Sequence, residues 1–359
     1  MCLSLLKPSR RAGEGFLLAF SGEPEMNRRA DIRLSLPSKG RLAEDAVNFL
    51  ASCGLAVFKP NPRQYAASIP ALPGLTVLFQ RPGDIVVSVR DGSVDFGITG
   101  RDVVAERGGD NGTVLILHDA LNFGHCRLAL AVPEEWQEVR TMADLVAYAR
   151  QLNRPLRVAT QFTRLTSDFL ARHHIEARLI HAEGTLEAAP AIGYADLICD
   201  LVSSGQTLRD NRLRAIEDGT IIHSQAVLIA NRTALKQRPE VLEMARALLE
   251  VIEAHLRAQE RLSVFANIRG ESPEAIARRM FAQSTLGGLQ GPTISRMIAP
   301  NGNPNWYAVH IVVRREQLLQ VIGELRAIGG SGVVVMPVTY IFEEEPTRCR
   351  AMMEALRDE

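Results

Sequence analysis

The chain has 359 residues, 46% of them hydrophobic and 23% charged, and its 41 basic side chains balance 41 acidic ones. That length holds two or three domains with cores of their own and excludes a single small one. Zero net charge excludes a protein whose main work is gripping nucleic acid backbone, which needs clustered Lys and Arg, so any anionic ligand must be met by a local site.

Residues 1–30 read as an N-terminal extension. Lys7, Arg10 and Arg11 with the apolar run Phe16 to Phe20 superficially resemble a targeting segment, but that run is short and leads into a turn-rich SGEPE. Disorder, or a start codon placed too early with Met26 as the true one, is the simpler account. From Asp31 short apolar runs alternate with segments of helical period, the pattern of α/β architecture. Strands are expected at 31–36, 75–80, 94–98 and 113–118, and Leu42, Ala46, Phe49 and Leu50 mark an amphipathic helix over 41–53. A second α/β set follows, with strands near 127–132, 156–159, 177–181 and 196–199 and helices near 141–151 and 163–173.

Residues 214–217 and 221–230 look extended again, and Pro239 opens a long helix to 261. The expected division is a first lobe of 31–125 plus 214–261 and a second lobe of 126–213. Over 262–342 the order becomes strand, helix, two strands, helix, strand, which is the ferredoxin-like βαββαβ plan of a separate domain. The tail, 343–359, reads as peripheral. Cys2, Cys53, Cys126, Cys199 and Cys349 are scattered, which suits neither a disulfide framework nor a zinc cluster and points to a reducing, cytoplasmic setting. No stretch approaches the roughly 20 apolar residues a membrane span needs.

The chemistry concentrates in Glu187 to Asn211, EAAPAIGYADLICDLVSSGQTLRDN. An apolar strand carrying Asp196 and Asp200 ends in a small-residue loop, Ser203-Ser204-Gly205-Gln206-Thr207. Gly205 lets backbone approach an anion, the hydroxyls of Ser203, Ser204 and Thr207 can donate, and the next helix adds its N-terminal dipole. The loop taken alone is also an ordinary turn with a helix cap. Asp200 shifts the balance. A carboxylate beside an anion loop repels phosphate unless it has hydroxyls to hold, and a ribose 5-phosphate offers both. Glu187 stands either toward that ligand or as an ordinary first-turn acid after Thr185. Lys39 and Arg41 flank a Gly-containing helix start, where they serve an anion or are simply solvated. Arg209 and Arg212 read as surface, and no histidine is assigned to chemistry.

Glu187, Gly193, Ala195-Asp196, Ile198, Asp200, Val202 and Ser204-Gly205-x-Thr207-Leu208 resemble the signature of the ATP phosphoribosyltransferase family. Ser38 to Leu42 (SKGRL) looks like that family's first loop and helix. Arg81-x-x-Asp84-Ile85 through Gly100-x-Asp102 looks like its second stretch, and Cys126-Arg127-Leu128 like its third. GPTIS, AVHIVV and RAIGGSGVVVMPV are similar to the C-terminal regulatory domain of long-form members. The resemblance implies two lobes like those of type II periplasmic binding proteins. It implies transfer of a phosphoribosyl group from 5-phosphoribosyl 1-diphosphate to N1 of ATP, opening histidine biosynthesis, with magnesium carried mainly on diphosphate oxygens and no dedicated protein ligands. Asp200 and Glu187 would then be catalytic, and Ser203, Ser204, Gly205, Gln206, Thr207, Lys39, Arg41, Arg81 and Arg127 would bind substrate. The resemblance also implies feedback inhibition by histidine, hexamers or dimers, and independence from a separate regulatory subunit.

Overall fold

The alternation that begins at Asp31 becomes three sheets in the computed structural model, which describes residues 31–357 apart from 62, 63, 65, 110 and 299–304. The extension expected over 1–30 lies outside the described residues. The first lobe opens with β1 (Ile32–Pro37), α1 (Arg41–Ser52), β2 (Ala66–Ser68), β3 (Leu75–Gln80), α2 (Pro82–Arg90), β4 (Phe96–Gly100), α3 (Arg101–Arg107) and β5 (Val114–His118). The chain crosses to β6 (Cys126–Pro133), α4 (Met142–Gln151), β7 (Leu156–Thr160), α5 (Thr163–Arg172), β8 (Ala177–His181), β9 (Leu197–Val202), α6 (Gln206–Asp210) and β10 (Leu213–Ser224). It returns through β11 (Ala226–Asn231), α7 (Arg232–Gln237) and α8 (Pro239–Gln259).

The first sheet runs β2-β3-β1-β4-β11-β5 and the second β10-β6-β9-β7-β8. The first has β1, β3 and β4 parallel with β11 antiparallel, and the second has β7, β8 and β9 parallel with β6 antiparallel. Both sheets are covered on both faces, which is why their strands read as near-continuous apolar runs. α1 lays Ala46, Phe49 and Leu50 on one face of the first sheet, and α8 adds Val241, Ala245, Leu248, Leu249 and Ile252 at helical spacing to the same core. α2 and α3 cover the opposite face through Ile85, Val86, Val89 and Val104.

β10 corrects the expected lobe boundary. Placed with the first lobe by its position before the return, residues 214–224 instead pair antiparallel with β6 at the edge of the second sheet. Its run of extended residues announces a strand, but the choice of neighbour depends on contacts with residues 126–133, which no local pattern encodes. The change of sheet takes place at one residue, Gln225: Ser224 pairs with Cys126 in the second sheet, and Ala226 with Gly100 in the first.

Beyond α8, β12 (Arg261–Arg269), α9 (Pro273–Phe281), β13 (Thr293–Arg296), β14 (Trp306–Arg314), α10 (Leu318–Ala327) and β15 (Gly330–Pro337) form an antiparallel sheet of order β13-β14-β12-β15. This is the expected βαββαβ arrangement, closed over its own core of Val264, Ile268, Ile276, Met280, Val309, Ile311, Val321 and Leu325. The tail departs from the peripheral role expected of it. α11 (Thr347–Arg357) packs on the first lobe and buries Cys349 and Met352 in the same core as α1 and α8. Arg348 ties it down through Asp119 at 2.5 Å and by a backbone N–H bond to Glu253 Oε1 at 3.0 Å. Met352 sits one helical turn from Cys349 on the buried face, so Met352→Ala is expected to cost about 2–5 kcal/mol. A urea titration reads this directly: a midpoint equal to that of the wild type would show the helix to be loosely docked.

Candidate active site

The sheet topology decides where ligands can be met. In open α/β sheets the ligand crevice lies beyond the carboxyl ends of parallel strands. β4 ends at Gly100, paired with Ala226, and β9 ends at Val202, paired with Arg127, so both carboxyl ends reach the residues beside the crossing at Gln225. The two lobes therefore present their ligand-binding edges to the same interlobe region.

On the second lobe, β9 places Ile198, Asp200 and Val202 on one face by its two-residue period. Ile198 and Val202 pack beneath the segment carrying Leu186, Ala189 and Ala195, which sets Glu187, in a 3-10 turn over Leu186–Ala188, beside Asp200. Burial, with the nearby Glu187 carboxylate adding to it, pushes the Asp200 carboxyl up to about 6, against an ordinary 3.8. The only hydrogen bond to it among the described residues comes from the Leu201 N–H, at 2.7 Å. Asp196, four residues earlier and just ahead of β9, has the opposite fate. Burial would raise it, yet bidentate bonds from Arg154 (2.5 and 2.9 Å) and bonds from Arg157 hold its carboxyl far below the ordinary carboxylate range. Of the two acids seen in the sequence, Asp196 is held by two arginines and Asp200 has no cation beside it among the described residues.

Past Asp200 the loop turns at Gly205, whose φ of 71° lies in the left-handed region that favours glycine. Gly205 is also the N-cap of α6, which has no side-chain cap, and the Ser204 Oγ accepts the Gln206 N–H at 3.3 Å. A cavity of about 380 Å³ is lined by Ser203, Ser204 and Gly205 together with Arg127, Arg209 and Arg214. Gln206 and Thr207 stand exposed at the start of α6. Arg127 is fixed there by donating to Thr220 Oγ1 at 2.9 Å. Arg209, expected only as surface, is exposed but braces the loop: its guanidinium donates to the Ser204 carbonyl at 3.3 Å and to Gln206 Oε1 at 2.9 Å.

The first lobe carries a larger cavity, about 1150 Å³, lined by Ser38, Lys39, Gln80, Arg81, Asp84 and Lys59 among others. α1 and α2 both begin in its wall. Gly40 and Arg81 are their N-caps and neither helix has a side-chain cap, so uncapped N–H groups and cations converge on one space. Lys59 had no signal in the sequence. It sits in coil after α1, and the fold brings its ammonium to 4.7 Å from the centre of the Phe79 ring and into the same lining. Lys39 and Arg81 both lie in this lining, but Arg41 is not brought into it: its side chain is 87% exposed, 3.6 Å from Asp45. Lys39 precedes the helix, whereas Arg41 lies inside its first turn and is rotated outward with Asp45. The structure thus assembles Asp200, Glu187, the 203–207 loop and Arg127 on one lobe, and Lys39, Arg81 and Lys59 on the other.

Residues 81–254 match the HisG family, described as ATP phosphoribosyltransferase, and residues 258–340 match the HisG C-terminal domain. The chain belongs to the ATP phosphoribosyltransferase family. It is 46% identical over 337 residues to ATP phosphoribosyltransferase 2, chloroplastic, of Arabidopsis thaliana, covering 91% of this chain and 81% of that one. It is 35% identical over 318 residues to the ATP phosphoribosyltransferase of Rhodopseudomonas palustris (strain HaA2), covering 87% of this chain and 94% of that one. Among solved structures, the ATP phosphoribosyl transferase (HisG:HisZ) complex from Thermotoga maritima aligns with a TM-score of 0.49 at 24% identity, over 62% of this chain and 98% of that chain. The protein is accordingly a phosphoribosyltransferase-family enzyme of the long form, with the C-terminal domain attached.

The raised Asp200 carboxyl carries a sign that can be measured. Folding favours its neutral form, so the stability it contributes is full below its ordinary 3.8 and is lost as pH rises through about 6. Asp200→Asn, neutral throughout, is expected to be more stable than the wild type at about pH 8, with the difference shrinking toward about pH 4. Denaturant midpoints across that range that run parallel for the two proteins would show Asp200 to be solvated.

Proposed function

We propose that the protein transfers the 5-phosphoribosyl group of 5-phosphoribosyl 1-diphosphate to N1 of ATP, giving N1-(5-phosphoribosyl)-ATP and diphosphate, the first step of histidine biosynthesis. The observation that carries this reading is the Asp200 carboxyl, raised beside Glu187 and three residues ahead of a hydroxyl-lined loop that turns at a left-handed Gly205. Asp200 holds the ribose 2- and 3-hydroxyls, and Ser203, Ser204, Gly205, Gln206 and Thr207 hold the 5-phosphate. Arg127 lines the cavity of Ser203, Ser204 and Gly205 and adds positive charge. As the bond from C1 to diphosphate breaks, cationic character grows on the ribose ring, and the Asp200 and Glu187 carboxylates stabilise it where it forms. Asp200 is ionised for this purpose above about pH 6.

Lys39, Lys59, Arg81 and the open N-terminus of α1 receive the polyphosphate of the attacking nucleotide, while Arg41 stays with Asp45 at the surface. Holding both reactants from opposite lobes supplies the positioning that a displacement at C1 requires. Magnesium fits the donor set: the repulsion between Asp200 and Glu187 is what a divalent cation nearby would relieve, and the ion prefers diphosphate oxygens and water to a full protein cage. When bound it neutralises charge on the departing diphosphate.

The C-terminal domain is the place for histidine, acting as a feedback inhibitor from a distance. Its attachment supports this: α8 leads into it and α11 returns from it, both packed in the first lobe's core, so a change within it strains the catalytic part at two points. With its own C-terminal domain the enzyme works without a separate regulatory subunit, as a hexamer or dimer in the cytoplasm, where the free cysteines Cys53, Cys126, Cys199 and Cys349 suit a reducing medium.

Mixing ATP, 5-phosphoribosyl 1-diphosphate and magnesium should yield phosphoribosyl-ATP, and added histidine should lower the rate. Folded protein that forms no product would overturn the reading. Asp200→Ala is expected to lower kcat at least about 100-fold, close to 3 kcal/mol of transition-state stabilisation. Lys59→Ala should raise the KM for ATP about tenfold while leaving that for 5-phosphoribosyl 1-diphosphate within about twofold. An equal rise in both would move Lys59 from the nucleotide to the diphosphate.

A further inference from the structure

Helix α3 belongs to the first lobe by its packing, yet its polar contacts reach the second lobe. Near its end, the Glu106 carboxylate accepts the backbone N–H groups of Arg164 and Leu165, each at 2.9 Å, and the Thr163 hydroxyl at 3.5 Å. Arg164 Nε returns a bond to the Glu106 carbonyl at 3.2 Å. Those N–H groups are the open N-terminus of α5. The N-cap of α5 is Phe162, whose ring can accept nothing, so the helix has no side-chain cap of its own. A carboxylate from the other lobe takes that place, where both its hydrogen bonds and its charge are favourable.

One turn earlier on α3, Asp102 is bonded to the Ser224 hydroxyl, and the Asp102 N–H donates back to Ser224 Oγ at 3.0 Å. Ser224 ends β10, immediately before the crossing at Gln225. Asp102 and Glu106 are four residues apart and so share a face of the helix. Between them, Val103 packs against the cores of both lobes. One face of α3 is thus fastened to the second lobe at the hinge and, about 6 Å further along the axis, at α5. The second fastening sits close to the site. α5 follows β7, which lies parallel to β9 with Thr160 opposite Cys199, so the β7 end that launches α5 is adjacent to Asp200 and the anion loop.

We propose that Glu106 is a positioning residue: it latches α3 to the N-terminus of α5 and thereby holds the two lobes at the angle in which their ligand-binding edges act together. Without it the crossing strands, the Asp102–Ser224 bond and the packing of Val103 set that angle, all of them at or near the crossing, which is a hinge. Substrate binding must then close the lobes as well as fill the site, which lowers apparent affinity for both substrates by the fraction of molecules already closed. The kinetic part of this proposal rests on the transferase reading above, whereas its structural part does not.

The test compares Glu106→Ala and Glu106→Gln with the wild type by three readouts. Amide hydrogen exchange at Arg164 and Leu165 should quicken about tenfold or more in Glu106→Ala, because their acceptor is gone. Small-angle scattering of the substrate-free variant should show a larger radius of gyration. KM for ATP and for 5-phosphoribosyl 1-diphosphate should both rise about five- to tenfold with kcat within about threefold, a split that loss of helix stability alone would not give. Glu106→Gln keeps one acceptor and should fall between the two, and it carries the same readouts if Glu106→Ala does not fold. Faster exchange with an unchanged radius and unchanged KM values would make Glu106 a plain helix cap and overturn the proposal. A larger radius in a protein that makes no phosphoribosyl-ATP would uphold the latch while removing the transferase reading.

Discussion

The constraint on which the rest of the structure depends is the crossing between lobes. Two strands run out of one sheet and into the other, with residues 119–125 on one path and Gln225 alone on the other. A single residue cannot span a gap, so the end of β10 and the start of β11 must be neighbours. Their partners, Cys126 and Gly100, are then pinned near them. Because β4 and β9 both point their carboxyl ends at these pinned residues, the two places where a ligand can meet backbone N–H groups are forced together. The site is a consequence of connectivity first and of side chains second.

Charge is then distributed within that frame. The chain carries equal numbers of acids and bases, so a binding site for polyanions must be made by withholding partners locally. Asp196 takes two arginines, Arg154 and Arg157, and ceases to matter electrostatically. Asp95, 1% exposed, is held by Arg238 at 2.9 Å. Among the described residues, no carboxylate lies within ion-pair distance of Lys39, Lys59 or Arg81, and the uncapped starts of α1 and α2 add to the same positive region. Asp200 is the complementary case, a half-buried acid with no cation beside it among the described residues. Such a group is expensive to ionise unless a ligand donates to it. Glu106 shows a third solution, in which a carboxylate is neutralised by the N-terminus of a helix belonging to the other lobe.

What the sequence made legible follows the range of the interactions involved. α1 and α8 were readable because their apolar spacing is local, and the loop at 203–207 because Gly205 and the hydroxyls sit together in the chain. The βαββαβ domain was readable because each element follows from its own period. β10 joins the second lobe and not the first that its chain position suggests, because strand pairing is a choice between distant partners. Lys59 was silent because a lone lysine in coil has no pattern until Phe79 and α1 surround it. Arg41 stands apart from the lining that holds Lys39 because adjacency in sequence does not survive the rotation of about 100° per residue in a helix. Glu106 could not be found at all, since the N–H groups it caps lie 58 and 59 residues away.

α11 had the same difficulty in a different form. Its Cys349 and Met352 are three residues apart, too few apolar positions to announce a buried face, and the core they complete is built from residues of the first lobe far earlier in the chain. Once docked, the helix changes what the C-terminal domain can do. A domain hung on one linker is free to reorient without consequence for the rest of the chain. Here the path in, α8, and the path out, Ile341 bonded to the Ala254 carbonyl at 3.0 Å and Arg257 to the Ile341 carbonyl at 2.9 Å, are held against the same helix. Rotation of the domain therefore pulls on α8, whose opposite face is packed against the sheet that supports Lys39 and Arg81. Coupling between distant sites needs such a rigid path with two arrangements, and the doubly fastened domain supplies the path.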